Sequence, residues 1–203
     1  MHVIAITGGT GSGKTTLVQS IVSKIAKKEI LCLSSDSYYK DNPKLSFLER
    51  EKINYDEPNA IDFNLLHQHI NDLKLGKSIK VPKYCFKTHL RKKEYGVESP
   101  KKTLLIEGIL ILSNSELRKE FNLKIFLECD RDLRLKRRVN RDVNQRGRSK
   151  KDVIHLFSKR LDLMHKKYVI PVKKYCDIVI NTEEEINYDE LIKKLKYYDF
   201  KNS

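Results

Sequence analysis

The chain has 203 residues, with 41 Lys and Arg against 27 Asp and Glu, a formal net charge of +14 and 39% hydrophobic residues. That length suits one α/β domain over residues 1–203 and is short for two. The longest apolar stretch, Leu104 to Leu112, is interrupted by Glu107 and Gly108 and cannot span a bilayer. No low-complexity tract, linker or repeat stands out, and a first strand starting at His2 leaves no room for a signal peptide. Cys32, Cys85, Cys129 and Cys176 lack C-x-x-C spacing. This argues against zinc or a disulfide framework and predicts buried free thiols in a reducing cytoplasm.

In chain order, Val3-Ile4-Ala5-Ile6 reads as a strand and leads into Gly8-Gly9-Thr10-Gly11-Ser12-Gly13-Lys14-Thr15, which fits G-x-x-x-x-G-K-[ST]. Glycines let the backbone turn its N–H groups on an anion, Lys14 reaches terminal phosphates, and the Thr15 hydroxyl is placed for Mg²⁺. Leu17, Ile21 and Ile25 share one face of a following helix, whose positive end favours the same phosphates. This segment predicts binding of a nucleoside triphosphate. Ile30–Leu33 reads as a second strand, ending in Ser34-Ser35-Asp36. Asp62 is a plausible N-cap for a helix with Leu66, Ile70 and Leu73 on one face. Ile79–Phe86 and Lys93–Glu98 flank a polar bend at His89 and predict an inserted β-hairpin, residues 78–100, covering a second substrate. Thr103–Ile106, Leu123–Leu127 and Ile178–Ile180 complete five short continuous apolar runs, as expected of strands buried on both faces. Helices are predicted over Leu133–Arg148 and Val153–Tyr168, with a last one carrying Leu191, Leu195 and Tyr198. Strands alternating with helices imply a three-layer α/β sandwich around a mostly parallel five-stranded sheet.

Three groups outside the loop carry chemistry. Asp36, at a strand's carboxyl end, either takes the proton of an acceptor hydroxyl near the metal or merely caps a turn. Glu107 ends an apolar strand where a second Mg²⁺ contact belongs. Arg137, Arg138, Arg141, Arg146 and Arg148 crowd into a dozen residues, with a helix break at Gly147. They suit an Arg-rich helical lid, residues 131–150, closing over phosphate oxygens; an ordinary basic helix is the other reading. The overall positive charge fits a polyphosphate site better than nucleic-acid binding, because no nucleic-acid-binding motif accompanies it.

Beyond the phosphate loop, Asp36–Asp41, Asn54-Tyr55-Asp56-Glu57-Pro58-Asn59-Ala60, Pro82–Arg91, Glu107-Gly108-Ile109-Leu110 and Arg137–Arg148 run in order along nearly the whole chain. Together with Gly8–Thr16 they resemble the uridine kinase (uridine-cytidine kinase) family of P-loop proteins. The resemblance implies transfer of the γ-phosphoryl of ATP or GTP to the 5′-hydroxyl of uridine or cytidine. It implies Asp36 as general base, aided by Lys14 and Arg138, and Thr15, Asp36 and Glu107 around Mg²⁺. Gly8 to Thr16 and Arg146 would hold the nucleotide. Asp56 and Arg141 would hold the ribose; Tyr39, Tyr84, Phe86, His89 and Arg148 would line the acceptor pocket. The family also implies a homotetramer.

Two positions depart from the family. Leu156-Phe157 stands where relatives commonly have Gln-Tyr, and Asn181-Thr182-Glu183 where they often have Pro-Arg-Gly. A phosphoribulokinase- or pantothenate kinase-like activity is disfavoured by Tyr84, Phe86, His89 and the 54–60 segment. A nucleotide-dependent switch lacks its Asn-Lys-x-Asp stretch, and RNA binding rests on charge alone.

Overall fold

Alternation of side chains along each strand decides the layers. Val3 and Ala5 pack with Leu31, Leu33, Leu104 and Ile106 on one face, while Ile4 and Ile6 pack with Leu105, Ile125 and Leu127 on the other. Both sets are buried, so both faces need a helical cover. The computed structural model describes residues 1–26 and 28–201, with side chains described as far as residue 195.

Strands β1 (His2–Gly8), β2 (Ile30–Ser34), β5 (Thr103–Glu107), β6 (Leu123–Glu128) and β7 (Ile178–Asn181) form one sheet in the order β2-β5-β1-β6-β7. Every pairing in it is parallel, in keeping with the expected five-stranded parallel architecture. Between its strands come α1 (Lys14–Lys24), α2 (Phe47–Lys52), α3 (Phe63–Lys74), α4 (Ser115–Lys119) and α5 (Arg131–Arg146). Leu17 and Ile21 of α1 cover one face with Leu191 and Leu195 of the final helix, Tyr188–Lys201; Leu66, Ile70 and Leu73 of α3 cover the other. Ile25 lies just past the end of α1 in extended backbone, and the Tyr198 side chain lies outside the described residues. Asp62 caps α3 as its position suggested, accepting from the Leu65 N–H at 3.1 Å.

The helix expected over Val153–Tyr168 is longer and irregular. It begins as α6 (Lys150–Leu156), opens into a π-turn (Phe157–Leu161), re-forms as α7 (Asp162–Met164), opens again (His165–Val169) and ends as a 3₁₀ stretch (Ile170–Tyr175). The Asp162 N–H reaches back to the Phe157 carbonyl and that of Ile170 to His165, five residues each. Each such bond takes up one extra residue and turns the following side chains relative to a regular helix.

The hairpin is present as β3 (Ile79–Cys85) and β4 (Leu90–Glu98), an antiparallel pair separate from the main sheet. Its turn closes with the His89 N–H donating to the Cys85 carbonyl at 2.9 Å, and His89 takes a left-handed φ of 55°. Arg91 ties the hairpin to the chain after β2, donating from Nε to the Tyr39 carbonyl at 2.9 Å and from Nη2 to Asp62 Oδ2 at 3.1 Å. The four cysteines are free but only half-buried, not fully buried as expected. Strand alternation turns Cys32 only partly into the core; burial still pushes its thiol up to about 11. Among the described residues no helix is long and apolar enough to cross a membrane.

Register brings three strand ends to one edge. Glu107 lies opposite Ile6 on one side and Ser34 on the other, so the ends of β1, β2 and β5 meet. Gly108 follows at a point with no space for a side chain, since an added Cβ would fall 2.7 Å from Ser35 Cβ and 2.9 Å from Ile111 Cγ2. Gly108→Ala is therefore expected to lower the unfolding free energy by about 1–3 kcal/mol, read as a lower urea midpoint. An unchanged midpoint would mean that Ser35 simply moves aside.

Candidate active site

The phosphate loop leaves β1 at Gly8 and closes at Gly13, where α1 begins. Gly11 and Gly13 take positive φ, 76° and 93°, which aims successive backbone groups inward. Lys14 is buried and donates to the carbonyls of Gly8 (3.0 Å) and Gly9 (2.9 Å). Burial pulls its ammonium below the ordinary lysine range, and Glu107 and Asp36 work against that pull. Thr15 and Thr16 open α1 and are exposed, whereas Thr10 and Ser12 are buried.

Asp36 sits on a 3₁₀ turn (Ser35–Tyr38) directly after β2, whose Ser34 hydroxyl caps it by accepting from the Asp36 N–H. The same hydroxyl donates to Glu107 Oε1 at 2.8 Å. Burial raises the Glu107 carboxyl, Lys14 lowers it and Asp36 raises it further. Two carboxylates sharing a desolvated space with one ammonium fit a cation. Among the described residues no three His, Cys, Asp or Glu side chains converge as a metal cage. A Mg²⁺ held by Thr15, Asp36 and Glu107 would therefore complete its shell with phosphate and water oxygens, as Mg²⁺ commonly does.

Beside Asp36 opens a cavity of about 410 Å³. One wall is aromatic. Tyr39, which is buried, has ring centroids 5.3 Å from Tyr55 and 5.1 Å from Tyr84; Tyr55 stacks on His89 at 4.8 Å with planes 12° apart; and Tyr84 meets Phe86 edge-on at 5.5 Å. The other wall carries Arg138, Arg141, Arg146, Arg148 and Arg160, with Asp56 between the walls and Thr10 marking the edge toward the phosphate loop. Arg138 reaches that loop, donating from Nη1 to Thr10 Oγ1 at 2.6 Å. Arg146 lies over the Phe86 ring at 4.5 Å, a cation–π contact joining α5 to the hairpin. Burial raises the Asp56 carboxyl, against the pull of Arg138 and Arg160. Burial and the guanidinium of Arg148 push the His89 imidazole below its usual range.

Asp36, Tyr39, Asp56, Tyr84, Phe86, His89, Arg138, Arg141, Arg146 and Arg148 all line this one cavity. Lys14, Thr15, Thr16 and Glu107 belong to the adjoining phosphate side. Sequence reasoning gave no role to Tyr55, Glu51, Asp152, Arg160 or Ile109, which line the cavity as well. Tyr55 had a signal, its adjacency to Asp56; Arg160 had none, because a π-turn decides its direction. Leu156 is on the wall too. Asp142 was also missed, although an acid spaced four from both Arg138 and Arg146 is a helical ion-pair pattern.

His165 is a further residue the sequence did not single out. Its ring packs on Gly9, where a Cβ would come within 2.8 Å of it, and its Nδ1 is buried without a partner. Burial and neighbouring Arg134 push this imidazole down to about 4.

A phosphate-cradling loop between strand and helix, facing an aromatic cavity across an aspartate, defines a P-loop kinase of a small molecule. Comparison with known proteins narrows the class. Residues 3–198 match the sequence pattern of the phosphoribulokinase / uridine kinase family. A uridine kinase of Clostridium novyi (strain NT) is 40% identical over 196 residues, 96% of this chain and 94% of its own. One from Halalkalibacterium halodurans is 37% identical over 96% of this chain and 93% of its own. The solved phosphoribulokinase from Rhodobacter spheroides superposes with a TM-score of 0.64 at 17% identity, over 89% of this chain and 69% of that one, which speaks for the fold. The chain belongs to the phosphoribulokinase / uridine kinase family.

The depressed histidine has a consequence for acid stability. Between the unfolded value of 6.5 and about 4, the unfolded chain binds a proton that the native ring refuses, so stability falls as pH drops through that window. The loss is at most about 3 kcal/mol. His165→Asn should flatten the dependence of urea-unfolding free energy on pH between these values by up to about one proton. An identical slope in the variant would show that the ring is not held neutral.

Proposed function

We propose that this chain phosphorylates uridine at the 5′-hydroxyl with the γ-phosphoryl of ATP, giving UMP and ADP, with cytidine as a second acceptor and GTP as an alternative donor. The observation that carries the reading is the single cavity in which an aromatic wall faces Asp56, Asp36 and the arginines beside the phosphate loop. A pyrimidine has a π-face for Tyr84 and Phe86 and a polar edge for the His89 imidazole. The Asp56 carboxylate accepts from both ribose hydroxyls, and Arg141, which lines the same cavity, joins in holding them; a sugar lacking one of them leaves a buried acceptor unpaired. The 37–40% identical relatives named uridine kinase support the same assignment.

Asp36 stands at the 5′ end of a nucleoside held this way. It takes the proton from the hydroxyl as the oxygen–phosphorus bond forms and the bond to the β-phosphate oxygen breaks. Because such transition states are loose, placement matters more than base strength. Lys14 moves from its carbonyl partners to the β- and γ-oxygens, and Arg138, Arg146 and Arg148 face the charge that spreads over the transferred group. Thr15, Asp36 and Glu107 would hold Mg²⁺, which would supply further neutralisation of the phosphate charge. The arm over residues 131–150 and the hairpin over 78–100 act as covers that exclude water. Assembly as a homotetramer is part of the proposal and is read by light scattering.

The test is a coupled ADP-release assay across nucleosides, with uridine and cytidine expected to turn over and ribulose 5-phosphate and pantothenate not. Asp36→Asn should reduce kcat by at least about 10³-fold while ATP still binds; full activity removes Asp36 as base. His89→Ala should raise the KM for uridine far more than that for ATP, and equal effects would mean that the hairpin does not read the base. Leu156→Gln should lower the uridine KM if the apolar wall lacks a useful polar contact, and an unchanged KM dismisses that idea.

A further inference from the structure

Asp142 lies outside every role assigned above, yet its side chain is the most heavily paired carboxylate of the described residues. It is 0% exposed and faces four guanidiniums. Arg141 approaches closest, with Nη2 at 2.8 Å and Nε at 2.9 Å from Oδ1. Arg138 Nε lies 3.2 Å from Oδ2, in ion-pair contact without hydrogen-bond alignment. Arg148 and Arg146 follow at 3.7 and 3.8 Å. Its backbone joins in, since the N–H groups of Gly147 and Arg148 both donate to the Asp142 carbonyl and shape the turn that ends α5. Burial works to raise this carboxyl, but the surrounding arginines hold it below the ordinary range, so it is charged.

The same four arginines line the cavity beside Asp36. Four like charges gathered around one point repel, and a single shared carboxylate is what lets them converge there. A triphosphate offers those guanidiniums a stronger counter-charge at the other end of their reach. We propose that Asp142 is a positioning residue for phosphoryl transfer, a resident counter-anion that aims the four arginines into the cavity and competes with the polyphosphate for them. It touches no substrate and acts through the arginines alone.

The two halves of that role pull in opposite directions when the charge is removed. Asp142→Asn leaves the buried guanidinium of Arg138 and the three partly exposed ones around it uncompensated, which raises their demand for an added anion. It also lets them spread, so they no longer stand where charge develops during transfer. Titration with inorganic tripolyphosphate at fixed ionic strength should therefore give a Kd at least about threefold tighter in the variant, while kcat falls by at least about tenfold. A lesion of folding alone would weaken both. Asp132→Asn, an equal change of charge at an exposed position on the same helix, should leave the tripolyphosphate Kd within about twofold. Asp142→Glu keeps the charge and should hold the Kd within about twofold and kcat within about tenfold of the parent. That arm decides the matter if the Asn variant does not fold. An unchanged or weaker Kd in the Asn variant, a kcat near the parental one, an equal tightening in Asp132→Asn, or a Glu variant outside its limits overturns the proposal. The turnover arm rests on the uridine-phosphorylating reading and the tripolyphosphate arm does not. If the unaltered chain binds tripolyphosphate but leaves uridine unphosphorylated, that reading fails and Asp142 is judged on binding alone.

Discussion

Positive charge held where water is scarce is the constraint that organises this protein. Lys14, Arg134 and Arg138 are all buried, and burial lowers the pKa of each. Charged groups in such surroundings need partners. Lys14 rests on two loop carbonyls, Arg134 stands near Asp162, and Arg138 contacts both Thr10 and Asp142. The carboxylates on the other side of the balance, Glu107 and Asp56, are themselves raised by burial and restrained by those same cations. Neither set of charges is fully satisfied by the other. An anion and a cation entering together would relieve both.

The parallel sheet makes that balance possible by bringing three strand ends to one edge. β1 ends in the phosphate loop, β2 in the turn bearing Asp36, and β5 in Glu107, and the register of pairing sets them side by side. The acceptor side is built from elements distant in sequence. Arg91 fastens the hairpin to the segment after β2, and Arg146 rests on Phe86, so the hairpin, the turn bearing Asp36 and α5 form one frame around the cavity.

Much of this was legible in the chain itself. The phosphate loop is contiguous, so its eight residues carry their own geometry, and continuous apolar runs mark the strands; the run Ile178–Ile180 departs from the expected double burial, because β7 lies at the sheet edge and leaves Val179 exposed. Asp36 and Glu107 were visible for a related reason: an acid closing an apolar strand stands out against its neighbours. The family resemblance extended this to Asp56, Tyr84, Phe86 and His89, which local pattern alone would have left as loop and strand residues. Short α2 escaped notice although Ser46 and Glu49 form a capping box, since six mostly polar residues show little periodicity.

Composition and local order determined the fold class, the loop and the kind of ligand it takes, because those depend on backbone conformation and on side chains a few residues apart. Tertiary structure alone decided which residues share the cavity. The two π-turns rotate Arg160 toward Asp56 and His165 onto Gly9, and a wider helical turn leaves no mark in a pattern of apolar residues. The pairing of Tyr55 with His89 spans two segments whose approach is set by the docking of the hairpin. Asp142 is buried where four arginine side chains of α5 and the turn after it converge on its carboxylate. A charge run reads as a solvated helix face until packing shows which charges have lost their water.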